Sequence, residues 1–474
     1  MELRAKEQII EVPQDQPFRD DKLNRASIAG ILTSIVNAYS ITGSVIAIDG
    51  EWGAGKTTFV RMWKQELENN GYKTLYFNAW ETDHFDDPLI AILGELSEVF
   101  KSNKEFKSLA SKAGRITLRA SGEILKGCIK KATGINTEAI AGAIDEISDI
   151  FSEGLKSYSL QKAEFCEFKK QLEEFIASEA IENNHPVVFF IDELDRCNPH
   201  YAIKLLERIK HLFEVPNIIF VLAVNINQLK YAIQGFYGSS NIDGEEYLKR
   251  FIDLQYSLPC PNLETFINHL YNYHNFDSFF GHQIRQGDHR LRYDGEMFLR
   301  IATALLSHTP LNLRSINKIF AYTRIVLQSF PLTSKISADL LFLLCFFKVI
   351  TPAFYSQLKM RKFSLQELVD EIENILPPSI FISTPYFHDG RTISWATANL
   401  LLSYNSNEHR QSFEDIFKVE KFDNQPLEYP ITTKRFPRED LFEALSYYIN
   451  HNEYYSYGLE QVYKKIDLLQ VLNM

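Results

Sequence analysis

The sequence predicts an α/β fold: a three-layer α/β/α core on a parallel sheet, followed by a mostly helical region. Three observations carry this reading. Five short apolar runs alternate with helical stretches, and their near-continuous apolarity suits strands covered on both faces. The segment Gly50-Glu51-Trp52-Gly53-Ala54-Gly55-Lys56-Thr57 fits G-x-x-x-x-G-K-[ST] and joins the first run to a helix-like segment. After Pro259 the strand signal stops, and Phe, Tyr, Leu and Asn take over with helical periodicity.

Taken in order, residues 1–20 are polar with two prolines and read as an extended lead-in. From Asp21 to Tyr39, Ile28, Ile31, Leu32 and Ile35 recur at helical spacing. The motif strand spans 44–49, and a helix is expected from Thr58 to Asn69. A second strand, Thr74 to Asn78, ends at Ala79-Trp80. The third, Pro186 to Ile191, runs into Asp192-Glu193; the fourth, Ile218 to Val224, runs into Asn225. The fifth and weakest, Phe251 to Leu258, is closed by Pro259. Residues 81–185 lack a strand signal and read as a helical insertion on the flank of the sheet. The sharper alternative is an amphipathic surface that meets a membrane or a partner. The expected organisation is a core of 1–80 and 186–260, the insertion 81–185, and a helical region 261–474 with a division near 377–392.

Composition is that of an ordinary globular chain: 474 residues, 45% hydrophobic and 23% charged, with a mean hydropathy of −0.19. The formal net charge of −11 opposes nucleic acid at long range; a local basic groove is compatible with it, but a nucleic-acid partner is unsupported. Cys128, Cys166, Cys197, Cys260 and Cys345 are odd in number and scattered, which favours a reducing compartment. Met1-Glu2-Leu3-Arg4 begins no apolar signal core, and no apolar run nears the roughly 20 residues of a spanning helix. The longest, Leu340 to Phe347, reads as a buried helix. A cytoplasmic chain without a transmembrane segment is the expectation.

The chemistry concentrates at two strand ends. Glycines in the loop Gly50–Gly55 let backbone N–H groups turn toward phosphate oxygens, and the helix N-terminus after it adds partial positive charge. Gly50, Glu51, Trp52, Gly53, Ala54, Gly55, Lys56, Thr57 and Thr58 are the nucleotide-binding candidates. Lys56 reaches the β- and γ-phosphates, and the Thr57 hydroxyl ligates Mg²⁺. In "VVFFIDELDR" (187–196), Asp192 leaves the C-terminal end of an apolar strand and is the metal candidate. Glu193 follows it and would orient or activate a water. Asp195 and Arg196 either pair with each other or shape the site. Asn225, ending the next strand, either senses the γ-phosphate or only terminates the strand. Arg250 and Arg314 are candidates for neutralising transition-state charge, from a neighbouring domain or subunit. No N-K-x-D guanine element follows, so ATP is favoured over GTP.

These residues resemble the KAP family of P-loop NTPases. The resemblance rests on "DKLNRASIAGIL" (21–32), "IAIDGEWGAGKTTFV" (46–60), "YFNAWE" (76–81), "FFIDELDRC" (189–197), "FVLAVN" (220–225), "YLKRFIDLQYSLP" (247–259) and "LLFLLCFFKVITPAFY" (340–355). It implies a strand order 5-1-4-3-2, a glutamate-dependent hydrolytic site using ATP and Mg²⁺, and a helical C-terminal lid or signalling arm. Some members carry a transmembrane hairpin between the two Walker strands; here that interval is polar. The family's P-R-x-x-[KR]-R element is present only as Pro310-Leu311-Asn312-Leu313-Arg314-Ser315, leaving Arg314 as its remnant. Bacterial members resemble components of antiviral systems that work beside separately encoded effectors. The expected function is therefore an ATP-hydrolysing switch read by a partner, with room for a homo-oligomer. A nucleic-acid-dependent motor and a non-hydrolysing nucleotide-dependent scaffold are the rivals.

Overall fold

The computed structural model describes residues 12–40, 42–84, 169–213, 215–259, 262–382, 389–405, 431–451 and 458–471, with single positions between 88 and 95 and between 163 and 167. Most of the expected insertion 81–185, and the centre of the expected division at 377–392, lie outside the described residues. The chain divides into two compact units, residues 9–259 and 260–474.

The first unit is built on five parallel strands: β1 (Ser44–Asp49), β2 (Thr74–Asn78), β3 (Val187–Asp192), β4 (Ile218–Val224) and β5 (Leu254–Ser257). Their order is β2-β3-β4-β1-β5, the expected 5-1-4-3-2 read from the other edge. Every pairing is parallel. Register aligns the strand ends, because Asn78 pairs with Asp192, Asp192 with Ala223, and Asp49 with Val224. Whatever leaves the C-terminal ends of β1 to β4 therefore emerges along one edge.

Two apolar layers cover the sheet. On one face, Ile46, Ile48, Val188, Phe190, Ile219 and Val221 pack under α1 (Ala26–Ala38) and α2 (Lys56–Asn69). On the other, Val45, Ala47, Phe77, Phe189, Phe220 and Leu222 meet α3 (Pro199–Phe213), α4 (Ile226–Tyr237) and the helical residues 169–183. Alternate residues of one strand appear in opposite layers, as the pleat requires. Trp63 anchors the first layer. It is fully buried, donates its indole N–H to Thr33 Oγ1 at 2.9 Å and meets Phe190 edge-on at 5.3 Å. Trp63→Ala should destabilise this unit by about 3–5 kcal/mol; a urea unfolding shift worth under about 1 kcal/mol would show that the layer does not depend on it.

Element boundaries shift for local reasons. The first helix starts at Ala26 rather than Asp21 because the Asp21 carboxylate collects the N–H groups of Leu23, Arg25 and Ala26 in a turn. The motif helix starts at Lys56, two residues early, because left-handed Gly55 (φ 82°) ends the loop there. The fifth strand shortens to four residues after the helix α5 (Gly244–Leu248).

The second unit is helical among its described residues. α6 (Leu263–Tyr273), α7 (Asp294–Leu306), α8 (Leu313–Gln328), α9 (Ala338–Ile350), α10 (Asp389–Asn405) and α11 (Arg438–His451) share one apolar core. Phe276, Phe298, Phe320 and Phe342 interlock there, with centroids 4.6 Å apart for Phe276–Phe298 and 5.1 Å for Phe298–Phe342. The run Leu340 to Phe347 is indeed a buried helix, α9. Arg285, fully buried, is held by Asp294 and by the carbonyls of Leu332 and Ser334. Among the described residues no helix is long and apolar enough to cross a membrane.

Candidate functional site

The loop Gly50–Gly55 leaves β1, which lies between β4 and β5, and its first N–H, of Gly50, bonds the carbonyl of Val224 at 3.3 Å. Gly53 and Gly55 take φ of 80° and 82°, where side-chain-bearing residues are strained. At Gly55 a Cβ would also come within 3.2 Å of Arg25 Nη1, which donates to the Gly55 carbonyl at 3.3 Å. Thr57 and Thr58 follow in the first turn of α2.

Lys56 is buried and folds back over its own loop, donating to the carbonyls of Gly50 at 2.5 Å and Glu51 at 3.2 Å. Burial pushes its ammonium below the usual lysine pKa, and the carboxylates of Asp195, Asp192 and Asp49 oppose that shift. The lysine therefore sits amid carboxylates with only loop carbonyls as direct acceptors among its described bonds.

Asp192 closes β3 with 1% of its surface exposed. Strand alternation puts it on the same face as Val188 and Phe190, beneath α2, which is why it meets Thr57. The Thr57 and Tyr76 hydroxyls bond its carboxylate, Tyr76 at 2.8 Å, and so does the Glu193 N–H at 2.8 Å. Burial raises the Asp192 pKa against those three donors.

Glu193 has left-handed backbone (φ 61°), an uncommon conformation for a side-chain-bearing residue. This turns its side chain away from the strand direction. Its carboxylate accepts from Arg196 Nη1 at 2.6 Å and is bonded by Asn78. Burial raises its pKa, and Arg196 is the strongest opposing influence. Arg196 in turn lies under the Trp80 ring at 5.6 Å. The side chain of Asn78 takes the Trp80 N–H at 3.1 Å and gives to Glu81 at 2.9 Å. Thus the "NAWE" strand end reaches Glu193 directly through Asn78, and its neighbour Arg196 through Trp80, while Glu81 holds Asn78.

Asn225 both terminates its strand and joins the site. Its Oδ1 caps α4 through Gln228 N–H at 3.2 Å, while Nδ2 donates to Glu51 of the loop at 2.8 Å. Asp195 bonds Trp52 Nε1 at 2.6 Å, rather than pairing with Arg196. The structure does not bring Arg250 to the loop. It precedes β5, whose parallel pairing with β1 puts its start at the far end of the strands; its guanidinium stacks on Tyr247 at 5.8 Å. Arg314 is exposed in the first turn of α8, in the second unit.

Several contributors went unread in the sequence. Tyr76 and Asn78 share one face of β2, and their i, i+2 spacing was the available signal. Asp49 at the end of β1 accepts the Ile226 N–H at the start of α4, at 3.0 Å. The Trp52–Asp195 and Arg25–Gly55 contacts bridge 143 and 30 positions, and no local pattern marks them. A cavity of about 430 Å³ lined by Lys64, Glu68, Tyr72 and Tyr76 opens beside β2, away from the loop.

A five-stranded parallel sheet between helical layers, with a glycine loop entering α2 and a buried aspartate ending β3, defines a P-loop domain of the nucleoside-triphosphatase class. The chain belongs to the KAP family: the family's P-loop domain matches residues 24–330. Among curated proteins it is similar to the phage T7 exclusion protein of Escherichia coli K12, at 21% identity over 257 residues. That match covers 51% of this chain and 34% of the relative, so the chain spans about a third of that protein's length. Among solved structures it is similar to the Aeropyrum pernix ORC2 protein, at 13% identity and a TM-score of 0.36, covering 90% of this chain and 94% of that one. The C. elegans PCH-2 structure gives 14% and 0.30, covering 70% and 69%.

Proposed function

We propose that this chain is an ATP-hydrolysing switch whose nucleotide state is read by a separately encoded partner. The observation that carries it is the convergence of Lys56, Thr57, Asp192 and Glu193 at the aligned ends of β1 and β3. Lys56 is a buried cation held by two uncharged loop carbonyls, which a phosphate anion can replace. Thr57 and Asp192 form a hydroxyl–carboxylate pair of hard oxygens, the donor set Mg²⁺ takes. These residues fit a triphosphate with its metal, which when bound neutralises charge on the phosphate oxygens.

In this reading the N–H groups of the loop 50–57 and the N-terminus of α2 hold the phosphates. Lys56 leaves its carbonyls for the terminal phosphate groups. Thr57 and Asp192 hold the metal, with Tyr76 fixing the Asp192 carboxylate. Glu193, held by Arg196, which opposes the pKa rise that burial causes, orients the attacking water in its deprotonated form. Asn225 ties the loop to the end of β4. Arg250, remote from the loop within one chain, and Arg314 remain candidates for an arginine supplied across an oligomer interface.

A defence role is supported by the relative named for phage exclusion. Phosphate release by the purified chain, measured with ATP and Mg²⁺ and with and without DNA, tests the reading. Turnover that appears only with DNA and collapses with salt would favour a motor. Tyr76→Phe removes one donor from Asp192 and should raise the Mg²⁺ concentration needed for half-maximal turnover about tenfold; an unchanged requirement would separate Tyr76 from the metal.

A further inference from the structure

The side chains of two loop residues are tied outward. Glu51 takes Asn225 Nδ2 at 2.8 Å, and Trp52 Nε1 gives to Asp195 Oδ2 at 2.6 Å. The second tie is charge-assisted and short, the stronger kind of hydrogen bond. Trp52 is 40% exposed, so its ring is only partly covered, while its N–H is committed to one carboxylate oxygen.

Asp195 sits in the single 3-10 turn Leu194–Arg196 that starts from left-handed Glu193. That turn also presents Arg196, whose guanidinium grips Glu193 at 2.6 Å. A displacement of Asp195 cannot leave Arg196 and Glu193 in place, because one hydrogen-bonded turn holds all three: Arg196 N–H bonds the Glu193 carbonyl at 3.1 Å. On the other side, Lys56 holds the Gly50 and Glu51 carbonyls, which come immediately before Trp52 in sequence. When a phosphate draws Lys56 off these carbonyls, the segment carrying Trp52 is released on that side while Asp195 still holds it on the other. The lysine also feels Asp195 before any other carboxylate.

We infer that Trp52 and Asp195 are a positioning pair that transmits occupation of the phosphate loop to Glu193. The inference rests on the proposed ATPase reading. Neither residue touches the reacting atoms; the pair sets where the 193–196 turn stands once the loop is filled, and so where the Glu193 carboxylate lies.

The test uses the full chain, ATP with Mg²⁺, a fluorescent ATP analogue for affinity and phosphate release for turnover. Trp52→Phe keeps the ring and deletes the N–H; Asp195→Asn keeps an acceptor and deletes the charge. Each should hold analogue affinity within about threefold, which also certifies the fold, and lower kcat about tenfold with little change in KM. The double variant should be no slower than the slower single, because Trp52→Phe deletes and Asp195→Asn weakens the same contact. Wild-type kcat in Trp52→Phe, or losses that multiply in the double variant, would overturn the coupling and leave the ATPase reading intact. Wild-type turnover that does not depend on Glu193 would overturn both.

Discussion

Glu193→Gln should bind ATP with Mg²⁺ as tightly as the wild-type chain and release phosphate at least about a hundredfold more slowly. The substitution is close to isosteric, and the glutamine oxygen can still accept from Arg196, which sits 2.6 Å from the carboxylate. The left-handed backbone at 193 is unchanged in kind, so the turn should keep its form. What disappears is the anion that polarises the water. Burial raises the Glu193 pKa above the ordinary glutamate value, and Arg196 and Asn78 oppose that rise without cancelling it. The pH profile follows with a definite sign. The active form is the deprotonated one, so wild-type kcat should rise with pH through a limb above the usual glutamate value. The variant should show no such limb. If wild type and variant release equally negligible phosphate while both bind ATP, the enzyme reading fails and a nucleotide-dependent scaffold replaces it.

The strand ends were legible for a physical reason. A phosphate loop needs its glycines, lysine and hydroxyl at fixed offsets, and a metal carboxylate needs an apolar strand behind it, so Lys56, Thr57 and Asp192 announce themselves in sequence. The buried strands are equally plain, because a sheet covered on both faces leaves little room for polar residues. Local capping moved boundaries by a few residues, as with Asp21 and Gly55. Contacts that depend on strand order and register were not legible. Tyr76 reaches Asp192 only because β2 lies beside β3 in matched register. Asn225 reaches Glu51 only because β4 lies beside β1. The same topology removes Arg250 from the loop: its position in sequence, just ahead of β5, translates into the opposite end of the strands.

Lys56→Ala should weaken ATP binding by about a hundredfold or more, read by calorimetric titration at fixed Mg²⁺. The lysine is a buried cation lying on the carbonyls of the phosphate loop itself. Hydrogen bonds to charged partners contribute roughly 1.5–3 kcal/mol each, so losing two reaches that range. The free protein feels the loss as well. Asp192 would keep its burial without the neighbouring ammonium, so the variant should gain stability on acidification relative to wild type. The wild-type lysine contributes its own pH dependence. Burial lowers its pKa, so the protonated form is lost at a lower pH than for an exposed lysine. ATP affinity should therefore fall as pH rises through that lowered value, and Lys56→Ala should abolish this fall. Unchanged affinity in Lys56→Ala would mean that the backbone of the loop holds the phosphates alone, and would remove the lysine from the site.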